Sequence, residues 1–265
     1  MSIVGTNTRP DKRINLLRGV NPVSRVLGLI IMTTPLLISI DWVSAAVALA
    51  ATVIFAPLCG IEFSRLVRRA VPIFIAAPIS GISMLLYGEP EGKEYFSFLL
   101  ATVTDNSVQL AIAITLRVLA VGLPVVVLTA DIDPTDLGDG LAQVLKLPSR
   151  FVIASVAGVR LVSLFIDDWN ALTRARRARG LGDHGTLRRI ASQVFALLVF
   201  ALRRGAKLST AMEARAFGAP IKRSWAREST LSIRDAFVLF TCAVIACAAI
   251  IIAVWTGEFR FLGVA

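Results

Sequence analysis

Two octets hold the residues best suited to chemistry. Residues 175–182 read Ala-Arg-Arg-Ala-Arg-Gly-Leu-Gly, and residues 211–218 read Ala-Met-Glu-Ala-Arg-Ala-Phe-Gly. Both fit A-x-x-A-R-[GA]-[LF]-G, so Ala178-Arg179-Gly180 and Ala214-Arg215-Ala216 are two copies of one pattern. An arginine flanked by side chains of almost no bulk can sink its guanidinium into a partner's groove. There it can bond carboxylates or carbonyls in a fixed fork geometry. The bland explanation is helix capping, since cations favour helix C-termini and glycine the next position. Capping explains one arginine–glycine ending, but not the same flanking alanines and following apolar residue twice. Two copies suit a partner presenting two similar sites, such as a dimer.

The elements that must present these arginines are helices. Asp133-Pro134 is a helix start, a capping side chain followed by a ring pre-set for the first turn. Leu137, Leu141, Val144 and Leu145 then recur at helical spacing. Leu147-Pro148 ends that helix and begins a second, expected to run to Arg179 with Gly180 and Gly182 as its stop. A third is expected from about Leu187 to Ala216, ended by Gly218 and Pro220. Each arginine therefore falls at the C-terminal end of a long helix.

The rest of the chain is too apolar for an ordinary soluble domain: of its 265 residues, 56% are hydrophobic and 17% charged. Uncharged runs at 26–40, 43–61, 70–87 and 236–255, and the run 107–130 broken only by Arg117, predict five membrane helices. The fold expected is an all-α integral membrane protein with about five transmembrane helices and a region of long helices beside them. We divide it into an N-terminal segment (1–25), a four-helix membrane region (26–130), the long-helix region (131–230), and a last span with its tail (231–265). The polar 25-residue segment ahead of the first run, which itself continues into a hairpin, argues against a cleavable signal.

The net charge of +10 follows topology. Basic residues concentrate in 1–25, at Arg65, Arg68 and Arg69, and in 131–230, whereas 88–106 holds Glu89, Glu91, Glu94 and Asp105 against Lys93 alone. An N-terminus in the cytoplasm places every basic segment inside, as charge bias in membrane proteins requires, and puts the C-terminus outside. The apolar runs 151–166 and 190–202 are short for spans, and a spanning pair would carry six arginines outward. They are read as faces lying against the membrane or its proteins. Cys59, Cys242 and Cys247 read as packing residues, and no metal-ligand spacing is present.

These residues resemble the transmembrane coupling subunit, or T component, of energy-coupling factor (ECF) transporters, the EcfT/CbiQ family. The resemblance spans nearly the whole chain. It starts at Asn21-Pro22-Val23-Ser24-Arg25-Val26, continues through Asp133-Pro134-Thr135-Asp136-Leu137 and Leu147-Pro148-Ser149-Arg150, and is strongest at 173–182 and 211–218. It implies a subunit of an ABC-type importer of vitamins or transition-metal ions. Arg179 and Arg215 would each engage one of two ATP-binding ATPase subunits, identical or different. A small substrate-binding membrane subunit would complete the assembly. This chain would bind no cofactor, ATP being used by its partners. Phe151, Val152, Ser155 and Val156, with Phe195, Leu198 and Val199, would contact the substrate subunit. Ala216 departs from the glycine that many members carry.

Other classes fit less well. No phosphate loop or catalytic frame is present, and the one histidine, His184, sits in a glycine-flanked turn, so the chain is not expected to be an enzyme. A self-contained channel or secondary transporter usually carries midplane acids, and the spans hold none; Arg117 is their only charge, read as structural pairing or coupling. A membrane anchor whose basic region binds anionic lipid remains as the third class. Aromatic residues are too sparse there for nucleic acid.

Overall fold

The computed structural model describes residues 15–39, 41–60, 63–88, 94–98, 101–180, 186–217, 219, 224–225, 227–257 and 259. The chain divides into two compact units, Met1–Ile132 with Leu231–Ala265, and Asp133–Thr230.

The first unit contains helices α1 (Pro22–Ile38), α2 (Trp42–Phe55), α3 (Phe63–Tyr87), α4 (Asp105–Leu128) and α8 (Ile233–Trp255). All five apolar runs are helical, but their ends follow capping rather than hydropathy. Asn21 starts α1 ahead of its apolar run by accepting the Val23 N–H at 3.0 Å, with Pro22 at the first helical position. Asp41 starts α2, accepting the Ser44 N–H at 2.6 Å. Thr104 and Ser107 form a reciprocal cap on α4. Helix α2 stops at Phe55, short of its apolar run, because Pro57 opens a 3₁₀ turn, Pro57–Cys59. Asp235 ties two helix starts together: it is 2% exposed and accepts the N–H groups of Asn21 (2.6 Å) and Ser232 (2.5 Å).

Helix α3 packs on α4, α1 on α8, and α2 on α4 and α8. Fully buried Ala45, Ala48, Ala120 and Ala249 let these backbones approach closely. At Gly81 of α3 an added Cβ would lie 2.1 Å from Thr115 Oγ1 of α4, so that crossing admits no side chain. Outward faces are apolar, as at Ile75, Ile79 and Ile82 (58, 61 and 56% exposed), the arrangement a lipid environment requires.

The structure adds two features. The acidic connection contains a hairpin, β1 (Glu94–Phe98) antiparallel to β2 (Ala101–Thr104), with a register irregularity between Glu94 and Phe96. Its aromatic and β-branched residues fit strands. Second, α6 (Ser149–Ala178) is 30 residues long, about 45 Å. It joins α3, α4 and α8 as helices long and apolar enough to cross a membrane, while α1 and α2 are shorter apolar helices. The run 151–166 that looked short is extended by its flanks into one unbroken helix.

Candidate functional site

The second unit holds α5 (Pro134–Gln143), α6 and α7 (Thr186–Ala214). Asp133 caps α5 by accepting the Thr135 N–H at 2.7 Å, and that bond holds its carboxyl below the usual carboxylate range. Helix α5 lies directly on α6 at Gly138, where an added Cβ would be 2.3 Å from Val156 Cγ2. The segment after α7 is tied back to α5. Arg227 pairs with Asp136 at 3.0 Å, and Gln143 bonds both the Arg227 carbonyl (2.8 Å) and the Ser229 N–H (2.9 Å).

Polar side chains clasp α6 to α7. Gln193, 2% exposed, donates to Thr173 Oγ1 at 3.1 Å, and Arg176 donates to Ser192 at 2.6 Å. Further along, Arg204 makes a two-pronged pair with Asp168 at 2.6 and 3.2 Å. These pairings run the helices antiparallel. The far end of α7 then meets the beginning of α6: Met212, Arg215 and Phe217 share a cavity of about 510 Å³ with Val152, Val156 and Arg160. Arg179 stands at the other end of α6. At 1.5 Å per residue, the two arginines are separated by roughly 30 Å along α6.

The two helix ends share one backbone geometry. In the first, the Arg179 N–H bonds the Arg176 carbonyl (3.1 Å) and the Gly180 N–H that of Arg177 (3.0 Å). In the second, Arg215 bonds Met212 (3.1 Å) and Ala216 bonds Glu213 (3.0 Å), the same two i→i−3 bonds. Gly180 is left-handed at φ +72°, and Ala216 takes the same conformation at φ +53°. Phe217 then donates to Met212 at 2.9 Å, completing a Schellman closure. An alanine here performs a turn that glycine performs without a steric cost. Ala178, Arg179, Gly180, Ala214, Arg215 and Ala216 are all exposed. Among the described residues neither the Arg179 nor the Arg215 guanidinium has a hydrogen-bond or ion-pair partner. Two unpaired cations on matched turns can accept an anionic or carbonyl-rich partner at two places at once.

The remaining candidates separate by burial. Val152 is 8% exposed and Val156 faces Gly138, so both belong to the α5–α6 contact. Phe151, Phe195, Leu198 and Val199 stay 74, 67, 53 and 41% exposed, and Ser155 is exposed with its hydroxyl on the Phe151 carbonyl. Arg117 lies inside α4, with its Nε and one terminal nitrogen buried and without a hydrogen-bond partner. Asp41, its principal charged neighbour, has Oδ1 in the same condition. His184 and Gly218 lie outside the described residues. Sequence reasoning missed the clasp. Its only signal was the placement of polar residues within or beside the apolar runs, Gln193 inside the second and Asp168, Thr173 and Arg204 just past their ends.

A family model, CbiQ, described as cobalt transport protein, matches residues 14–224. The chain is also similar to proteins named energy-coupling factor transporter transmembrane protein EcfT. One from Brevibacillus brevis is 26% identical over 237 residues, 84% of this chain and 89% of that protein. One from Clostridium kluyveri is 26% identical over 211 residues, 75% of this chain and 78% of its own length. One from Staphylococcus aureus is 25% identical over 195 residues, 69% and 72% of the two chains.

Proposed function

Because the chain belongs to the CbiQ/EcfT family of ECF transporter membrane subunits, we propose that Arg179 and Arg215 are the sites by which it docks onto two ATP-binding ATPase subunits. The observation that carries this reading is the matched pair of helix ends. Two exposed guanidiniums lacking described intramolecular partners sit on the same turn, roughly 30 Å apart along α6. A dimeric partner presents two equivalent grooves, and each groove needs a fork-shaped cation with no bulk beside it. Movement of the ATPases on binding and hydrolysing ATP then passes into α6 and α7, whose clasp makes them respond together. The exposed apolar residues Phe151, Phe195, Leu198 and Val199 suit contact with a small substrate-binding membrane subunit or lipid. That subunit selects the cargo, a vitamin or a transition-metal ion.

The orientation that serves this role follows from charge. Residues 1–25 and 131–230 face the cytoplasm, where ATP is, and the C-terminus faces outward. The test is ATP-driven uptake by the transporter carrying Arg179→Glu with Arg215→Glu. Uptake is expected to be abolished while the protein still inserts in the membrane. Uptake at the unmodified rate would overturn the proposal.

A further inference from the structure

We propose that the segment following α7 is a strap that fixes the direction of the Arg215 end, and that Gln143 of α5 is its fastening, a positioning residue for the second docking site. This rests on Arg215 being a docking site and adds what holds it in place. Gln143 is the last residue of α5 and uses both atoms of its side-chain amide on one stretch of backbone. Its Nε2 donates to the Arg227 carbonyl at 2.8 Å, and its Oε1 accepts the Ser229 N–H at 2.9 Å. A side-chain amide carries a donor and an acceptor on one planar group, which this double pairing uses. Asp136, about two turns earlier on the same side of α5, pairs with the Arg227 guanidinium at 3.0 Å. That pair is exposed at both partners and adds little by itself, so Gln143 carries the fastening.

The fastened segment reaches the docking end through Trp225. Two residues before Arg227, its side chain lines the same cavity as Arg215, with Met212 and Phe217 from the end of α7 and Gly138 and Asp139 of α5. Helix α5 is itself fixed to α6, since a Cβ added at Gly138 would lie 2.3 Å from Val156 Cγ2. The Asp168–Arg204 pair, which clasps α7 to α6, lies eleven residues before Arg215, about 16 Å along α7. The end of α7 is therefore anchored on one side by the clasp and on the other by the strap. A guanidinium that enters a groove as a fork must be aimed as well as exposed. Holding its helix end in one direction removes part of the ordering cost of association. Arg179 stands at the opposite end of α6, so the strap positions one docking arginine and not the other.

The test is a double-mutant cycle read as affinity. The chain with its substrate-binding subunit, reconstituted in lipid nanodiscs, is titrated with the purified ATPase. Gln143→Leu is placed in the unmodified chain and in the Arg179→Gln and Arg215→Gln backgrounds. Two neutral hydrogen bonds of ordinary net strength correspond to a factor on the order of ten in closure of the strap. Gln143→Leu is therefore expected to weaken ATPase binding by up to about tenfold in the unmodified and Arg179→Gln chains, and to add nothing once Arg215→Gln is present. An equal loss in the two arginine backgrounds would make Gln143 a residue of general stability and overturn the proposal. So would an unchanged affinity of the Gln143→Leu chain while each arginine change weakens binding, and the docking reading would then stand without the strap. Unchanged affinity in Arg179→Gln and Arg215→Gln themselves would remove the docking reading, and the positioning role with it.

Discussion

Exchanging the residue types at the two left-handed positions, Ala216→Gly and Gly180→Ala, isolates the turn on which each arginine stands. Ala216 is exposed, so removing its methyl forfeits no packing. A Cβ added at Gly180 meets nothing within 4 Å, so that change adds no clash. What remains is backbone energy. An L-residue held in the left-handed region costs about 1–2 kcal/mol. Glycine loses about 0.5–1 kcal/mol more chain entropy on folding. The difference favours glycine at either position by about 0.5–1 kcal/mol, or two- to fivefold in the equilibrium for local opening. Amide hydrogen exchange measured by mass spectrometry reads this directly, because the N–H groups of Ala216 and Phe217 close the second end and that of Gly180 closes the first. Exchange at 216–217 is expected to slow two- to fivefold in Ala216→Gly, and exchange at 180 to quicken by the same factor in Gly180→Ala. Faster exchange in Ala216→Gly, or no change in Gly180→Ala, would refute the reasoning. It would mean that the turns are not held by the bonds described.

Three further outcomes are expected. Asp168→Asn and Arg204→Gln should each lower the thermal stability of the complex, with a double-mutant coupling of about 1–3 kcal/mol for a bidentate, partly buried pair; a coupling near zero would make the clasp a solvated contact. Arg117→Met alone leaves Asp41 buried without its neighbouring cation, and Asp41→Asn alone keeps the cap on α2 but leaves Arg117 uncompensated. The double variant should therefore be more stable than either single one by about 1–3 kcal/mol, and a double variant less stable than both would show that the two groups do not compensate each other. Finally, in a background lacking the three native cysteines, Ala171→Cys should react with an impermeant maleimide only after cells are opened. Labelling of intact cells would reverse the proposed orientation.

Much of the architecture is written in local residues. Asp133-Pro134 and Pro148 punctuate the chain where the helices begin, and five uncharged runs mark five of its helices. Family membership was legible in the octets and their spacing. Hydropathy blurs the helix ends, because capping side chains such as Asn21 and Thr104 sit outside the apolar runs. The hairpin at 94–104 was hidden by its acidic neighbours, and the true length of α6 by the charges flanking its apolar centre. At the helix ends, the pattern showed that glycine and alanine alternate at one position. It did not show that both adopt the left-handed turn, because a one-letter code carries no dihedral angle. Nor did it distinguish Val152 and Val156 from their exposed neighbours, since a residue's facing depends on α5, an element separate in sequence.

Docking by two particular arginines, rather than by basic charge at large, is tested most directly by ATPase stoichiometry in affinity-purified complexes. Arg179→Glu with Arg215→Glu is compared with Arg177→Glu and Arg203→Glu, an equal change of charge on exposed positions of the same two helices. The account predicts two ATPase subunits per chain in both the unmodified protein and the control, and none in the motif variant. Equal retention by the two variants would contradict it.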